Sequence, residues 1–155
     1  MKTLTYLGFD YGEKYIGVAV GRFPARRAQA LDTVAVHNRN PDWAHISRLI
    51  EEWKPDALIL GLPLNMDDSE NPMTVAAKKF GNRLSGRYNL PVHMVDERLT
   101  TIAAKNILLE AGVPVKRHKS RLDKLAAQTI LQAFLDTEQL QRNMDNQNNS
   151  DKSPM

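Results

Sequence analysis

The chain has 155 residues, 42% of them hydrophobic and 25% charged, and its 21 Lys and Arg against 18 Asp and Glu leave a formal charge of +3. That balance suits one globular domain with a buried core and excludes the disordered and collagenous classes. The absence of cysteine excludes disulfides, thiolate zinc sites, iron–sulfur clusters and cysteine nucleophiles, so any metal must be held by oxygen or imidazole.

Taken in chain order, Thr3 to Asp10 reads as a strand running into the turn Asp10-Tyr11-Gly12, and Tyr15 to Gly21 as its antiparallel partner. Arg22 to Arg27 reads as a Pro-containing basic loop, and Ala30 to Val36 as a third strand. A helix follows from about Pro41, with Asp42 as its cap and Trp43, Ile46, Leu49 and Ile50 at helical spacing. Ala57 to Leu60 is a continuous apolar run of the kind buried on both faces of a parallel sheet. Asn65 to Asn71 is a polar loop, and Pro72 opens a helix reaching about Tyr88. Pro91 introduces a strand from Val92 to Asp96, and Thr100 or Thr101 caps a helix ending before Gly112 and Pro114. Val113 to Ser120 is a basic loop before the last helix, Arg121 to Leu140. These elements make an α/β domain over residues 1–141, with a mixed sheet flanked by helices. Residues 142–155, almost devoid of apolar side chains, are expected to form a disordered tail. No run approaches the roughly 18 apolar residues of a spanning helix, so the expectation is a cytoplasmic protein with no membrane partner.

Three acidic positions stand out. Asp10 ends an apolar strand, Asp96 and Glu97 end another on opposite faces, and Asp123 shares a helical stripe with Ala126, Ala127, Ile130, Leu131 and Phe134. A buried carboxylate costs several kcal/mol unless it is paired or holds a cation. Such acids could gather around Mg²⁺, a hard ion that prefers carboxylate oxygen. Each acid also has a plainer reading, as a turn residue, an exposed loop acid or a helix cap.

In order along the chain come Phe9-Asp10-Tyr11-Gly12 with Ile16-Gly17-Val18-Ala19, Gly61 to Asp67, Asp96 to Thr101, and Asp123 to Ala127 with Ile130-Leu131. Together they resemble the motifs of the YqgF family, bacterial proteins described as Holliday-junction-resolvase-like and as nucleases that process the 5′ end of precursor 16S ribosomal RNA. The resemblance implies a ribonuclease-H-like fold with a five-stranded mixed sheet. It also implies a catalytic and metal-binding triad for Mg²⁺ or Mn²⁺ made of Asp10, Glu97 and Asp123, choosing Glu97 over Asp96. The chain departs from the family at two positions. Tyr15 stands where Arg usually follows the lysine that is here Lys14, and Asp68 stands where Gly is usual. Tyr15 could stack on a base in place of the missing Arg.

Two basic clusters, Arg22 with Arg26 and Arg27, and Lys116, Arg117, Lys119 and Arg121, are candidate phosphate contacts together with Lys14, and Asn65 is a candidate substrate contact. Trp43 and Trp53 read as packing residues. The expected function is metal-dependent endonucleolytic cleavage of structured RNA, with precursor rRNA or a pre-ribosomal particle as partner and a monomer or weak homodimer as the acting form. Branched DNA is the alternative substrate, and a non-catalytic RNA-binding assembly factor the alternative function.

Overall fold

The computed structural model describes residues 3–96 and 124–137. The helix expected from Thr100 or Thr101, the basic loop from Val113 to Ser120, the first turn of the last helix and the tail lie outside the described residues.

Strand β1 (Leu4–Tyr11) pairs antiparallel with β2 (Tyr15–Phe23), which pairs antiparallel with β3 (Arg27–His37). The two-residue strand β4 (Asn40–Pro41) turns back onto the end of β3. Helix α1 (Trp43–Trp53) leads to β5 (Ala57–Leu62), parallel to β1, and α2 (Pro72–Tyr88) leads to β6 (Val92–Asp96), parallel to β5. The sheet order is β4-β3-β2-β1-β5-β6. Residues 124–137 are helical.

The helix boundaries follow from local chemistry. The Asp42 side chain accepts from the His45 amide at the start of α1. Asn71 and Thr74 form a reciprocal capping box before α2, with Pro72 in its first turn, where a missing amide hydrogen costs nothing. Asn89 closes α2 in the left-handed conformation, two residues before Pro91.

Two features differ from the sequence expectation. The loop expected from Arg22 to Arg27 is reduced to a turn at Pro24, Ala25 and Arg26, because Phe23 and Ala28 are buried against the far helical segment and draw Arg22, Phe23 and Arg27 into the strands while the arginines stay exposed. The sheet has six strands rather than five because Asn38 and Arg39 make a two-residue turn with positive φ (49° and 65°), which lets Asn40–Pro41 pair with β3.

The sheet separates two cores. One face carries Leu7, Phe9, Ile16, Val18, Val34, Leu58 and Leu60 and packs against Ile46 and Leu49 of α1 and Phe80 and Leu84 of α2. The other face carries Tyr6, Ala19, Ala57 and Ile59 and packs against Ala127, Ile130, Leu131 and Leu135 of the helical segment 124–137. Burying a leucine or isoleucine of this kind contributes about 1.5–3 kcal/mol.

Gly8 sets how closely that segment approaches. A Cβ at position 8 would lie 2.9 Å from the Leu131 Cβ and 3.3 Å from the Ala127 carbonyl oxygen. Gly21, which pairs with Tyr6, lies under Leu131 and Leu135. The segment therefore runs antiparallel to β1, with Lys124 toward the Asp10 end. Gln132 anchors its other half, accepting from the Ala28 amide and donating to the Arg26 carbonyl at 2.8 Å.

Replacing Gly8 with Ala overpacks this contact and is expected to cost about 1–3 kcal/mol in urea denaturation. Gly86, in α2 with open space around it, is the control. There Gly→Ala should gain roughly 0.5–1 kcal/mol, and equal effects at the two positions would rule out the close contact.

Candidate functional site

Side chains alternate between the faces of a strand, and in β1 this sends Leu7, Phe9 and Tyr11 toward α1 and α2 but Tyr6, Gly8 and Asp10 toward the helical segment 124–137. Asp10 is half-buried. It stands just beyond Gly8, at the end of the sheet toward which Lys124 lies. Because β5 and β6 are parallel to β1, their carboxyl ends reach the same edge, with Leu62 opposite Asp96. Carboxyl ends of parallel strands are where open α/β sheets place ligands.

The same alternation places Asp96 at the end of β6. His93 stacks on Phe134 at 5.5 Å and Val95 packs in the core beneath the helical segment, whereas Val92 packs in the core of α1 and α2 and the Met94 Cε approaches Gly81 of α2. Asp96 therefore belongs to the α2 face, away from Asp10. Glu97 and Asp123, immediately after β6 and immediately before Lys124, lie outside the described residues, as do Lys116, Arg117, Lys119 and Arg121. Among the described residues no three His, Asp or Glu side chains come together as a metal site.

The structure separates the remaining candidates. Tyr15, 42% exposed, begins β2 on the Asp10 face, two residues from Gly17, the partner of Asp10. A diagonal pair of this kind is about 7–8 Å apart. The turn between Asp10 and Tyr15 depends on Gly12, where a Cβ would lie 2.5 Å from the Tyr15 carbonyl oxygen. Lys14 lies in this turn, its carbonyl accepting from the Val36 amide at 2.9 Å, and it borders a cleft on the opposite face. Arg39, Lys79 and Arg83, which no sequence motif marks, line the same cleft.

Arg22, Arg26 and Arg27 are not brought to this edge. They occupy the far end of the β2–β3 hairpin, with Arg22 beside Thr5, five residues back along β1 from Asp10. That separation is roughly 17 Å at the usual strand rise. Arg22 lies over Trp53 at 5.9 Å. Trp43 packs on Phe80 and beneath Arg83 and Arg87, in keeping with the packing role expected of both tryptophans.

Asn65 is at the right edge, in the loop after β5, but its side chain is engaged within the loop. Its amide donates to Ser69 Oγ at 2.9 Å and its carbonyl accepts from Asn71 at 3.0 Å. Asp67 accepts from the Ser69 amide and hydroxyl, and Thr74 Oγ1 donates to the Pro63 carbonyl. Asp68, at the position where the YqgF-like pattern usually has Gly, has φ of 70°, a left-handed value that explains the preference for Gly and that Asp tolerates. His45 pairs with Asp32, His93 stacks on Phe134, and His37 lies on β3, so the described histidines do not gather at Asp10.

Residues 4–137 match the family model described as Holliday junction resolvase RuvX. A relative from Nitrosococcus oceani named "Putative pre-16S rRNA nuclease" is 50% identical over 133 residues, covering 86% of this chain and 87% of its own. A Pseudomonas putida relative of the same name is 49% identical over 131 residues, covering 84% and 93%. Among solved structures, T. thermophilus RuvC in complex with Holliday junction substrate matches with a TM-score of 0.54 at 16% identity, over 88% of this chain and 96% of that one. The fold is ribonuclease-H-like.

The β5–α2 loop is held by its cap, so Asn71→Ala is expected to cost about 1 kcal/mol. Urea denaturation checks this, and a change below about 0.3 kcal/mol would show that the capping box does not hold the loop.

Proposed function

The chain belongs to the Holliday junction resolvase RuvX family, and from that footing we propose that it is a Mg²⁺- or Mn²⁺-dependent endonuclease acting on structured RNA, in 5′-end processing of precursor 16S rRNA in the cytoplasm. One observation carries the reading. Asp10 stands one residue before the end of β1 on the face covered by the helical segment 124–137, at the edge where β5 and β6 also end and toward which Lys124 lies. The acids adjoining those two ends in sequence are Glu97 and Asp123. With Asp10 they form the proposed ligand set.

The fit to a hard divalent ion rests on donor chemistry. The set is carboxylate oxygen throughout, the chain has no thiolate, and among the described residues His45 pairs with Asp32 and His93 stacks on Phe134. When bound, such ions activate water and stabilise charge on the attacking and leaving oxygens of a phosphodiester. The chain's own residues would position the substrate. Tyr15 offers an exposed ring on the Asp10 face for an unpaired base. Lys116, Arg117, Lys119 and Arg121 precede Asp123 closely in sequence and would bind phosphates. Arg22, Arg26 and Arg27, at the far end of the sheet, would touch only a substrate long enough to span it.

RNA is favoured by the name of the relatives that are about half identical over most of their length. The family description names a junction resolvase, so branched DNA is the second reading. Purified protein with Mn²⁺ and equal amounts of precursor 16S rRNA and four-way junction DNA should cleave the RNA at a defined site, and Asp10→Asn should reduce that rate at least about a hundredfold with the melting temperature retained. Cleavage of junction DNA alone would select the second reading. An Asp10→Asn protein that cuts RNA as fast as the parent would remove Asp10 from the chemistry.

A further inference from the structure

The proposed carboxylate site uses only one face of the sheet edge. On the other face, between the β1–β2 turn, the Asn38–Arg39 turn and the first half of α2, lies a cleft of about 840 Å³. Lys14, Arg39, Lys79 and Arg83 border it, and among the described residues Glu13 is the one acid in its wall. The ion pairs formed among the described residues, His45 with Asp32 and Lys78 with Glu70, involve none of these four cations. The cleft therefore carries uncompensated positive charge beside low-dielectric walls, an arrangement that concentrates anions.

Its floor is apolar. Tyr11 packs against Phe80 at 5.1 Å, and Met73 and the 48% exposed Val75 continue the surface along α2. Arg83 is positioned by the Trp43 ring, 5.7 Å away. Arg39 occupies a turn position with φ of 65°, where Gly or Asn is usual, and it still borders the cleft.

We infer that this cleft binds an unpaired segment of the nucleic-acid substrate, its phosphates on Lys14, Arg39, Lys79 and Arg83 and its bases against the apolar floor. The inference deepens the nuclease reading and rests on it for the identity of the polyanion. Three observations select a single strand. The volume falls within the roughly 300–1,000 Å³ of small-ligand sites, far too little for a duplex. An apolar floor is useful only to a base whose face is exposed. Tyr11, which follows Asp10 in β1, forms part of the wall, so a strand leaving the cleft over the sheet edge arrives at Asp10. The cleft would thus hold the chain flanking the cut, and the enzyme would prefer cleavage sites next to single-stranded RNA.

The test measures binding with chelator present, so that cleavage plays no part. Fluorescence anisotropy of a labelled oligouridylate and of a blunt RNA duplex would be followed across salt concentrations for the parent and for Arg39→Gly/Lys79→Gln. The glycine suits the positive φ and keeps the turn, and Lys79→Arg alone serves as the charge-retaining control. The double variant should bind the single strand about tenfold more weakly, with the salt slope reduced by about 1.4 for two lost phosphate contacts. Duplex binding and the Lys79→Arg control should be unchanged. Single-strand affinity and slope equal to the parent's would overturn the inference, as would an equal loss on the duplex, or loss of binding to an acidic peptide with none to the oligouridylate. Because cleavage is not read, a protein that cuts neither RNA nor junction DNA but shows the predicted binding loss would refute the nuclease reading and leave the cleft assignment standing.

Discussion

The absence of a side chain at position 8 sets the relation between the helical segment 124–137 and the sheet. With only a hydrogen on Gly8, the Leu131 Cβ and the Ala127 carbonyl can settle directly on β1. A helix held off by a larger residue would tilt or slide, and its start would shift relative to Asp10. Gln128 and Gln132 complete the constraint by hydrogen-bonding the backbone at the start of β3, which fixes the other half of the segment. Asp10 and Lys124 therefore lie toward the same end because of packing several residues away from either.

Strand alternation then divides the functional surface. On the helical-segment face the sheet edge offers Asp10 and the exposed Tyr15, while on the α1 and α2 face it offers Tyr11, Lys14 and the basic cleft. Consecutive residues of one hairpin thus serve opposite sides, acid and aromatic on one, cation and apolar floor on the other. The formal charge of +3 understates this division. A mildly basic total contains a cationic cleft on one face and Asp10 at the edge of the other, a division that the net charge averages away.

Much of the fold was legible in the sequence where a residue has a single physical role. Pro72 and the Asn71 cap mark the start of α2, Pro91 the approach to β6, and the run Ala57 to Leu60 a doubly buried strand. The β2–β3 hairpin was read too short because the arginines at exposed positions mask Phe23 and Ala28, which are buried only through a helix about a hundred residues away. The Asn40–Pro41 strand was missed because Arg39 is not a residue that signals a positive-φ turn. Of the proposed site, the position of Asp10 near the end of an apolar strand was legible. Which face Asp96 takes was not, since alternation alone does not say to which side of the sheet the end of β6 turns. Packing of Val92, Met94 and Val95 now places Asp96 with α2. The cleft was illegible for another reason. Lys14, Arg39, Lys79 and Arg83 come from three separate stretches of chain and form no motif until the sheet and α2 bring them together.

The most direct measurement is Mn²⁺ binding by titration calorimetry to the parent protein and to Asp10→Asn, Glu97→Gln, Asp123→Asn and Asp96→Asn. The account predicts that Mn²⁺ binds the parent and Asp96→Asn alike, and that the other three substitutions each weaken binding at least about tenfold. Loss of Mn²⁺ binding in Asp96→Asn with retention in Glu97→Gln would contradict it, because the metal would then be held from the α2 face rather than from the face that carries Asp10.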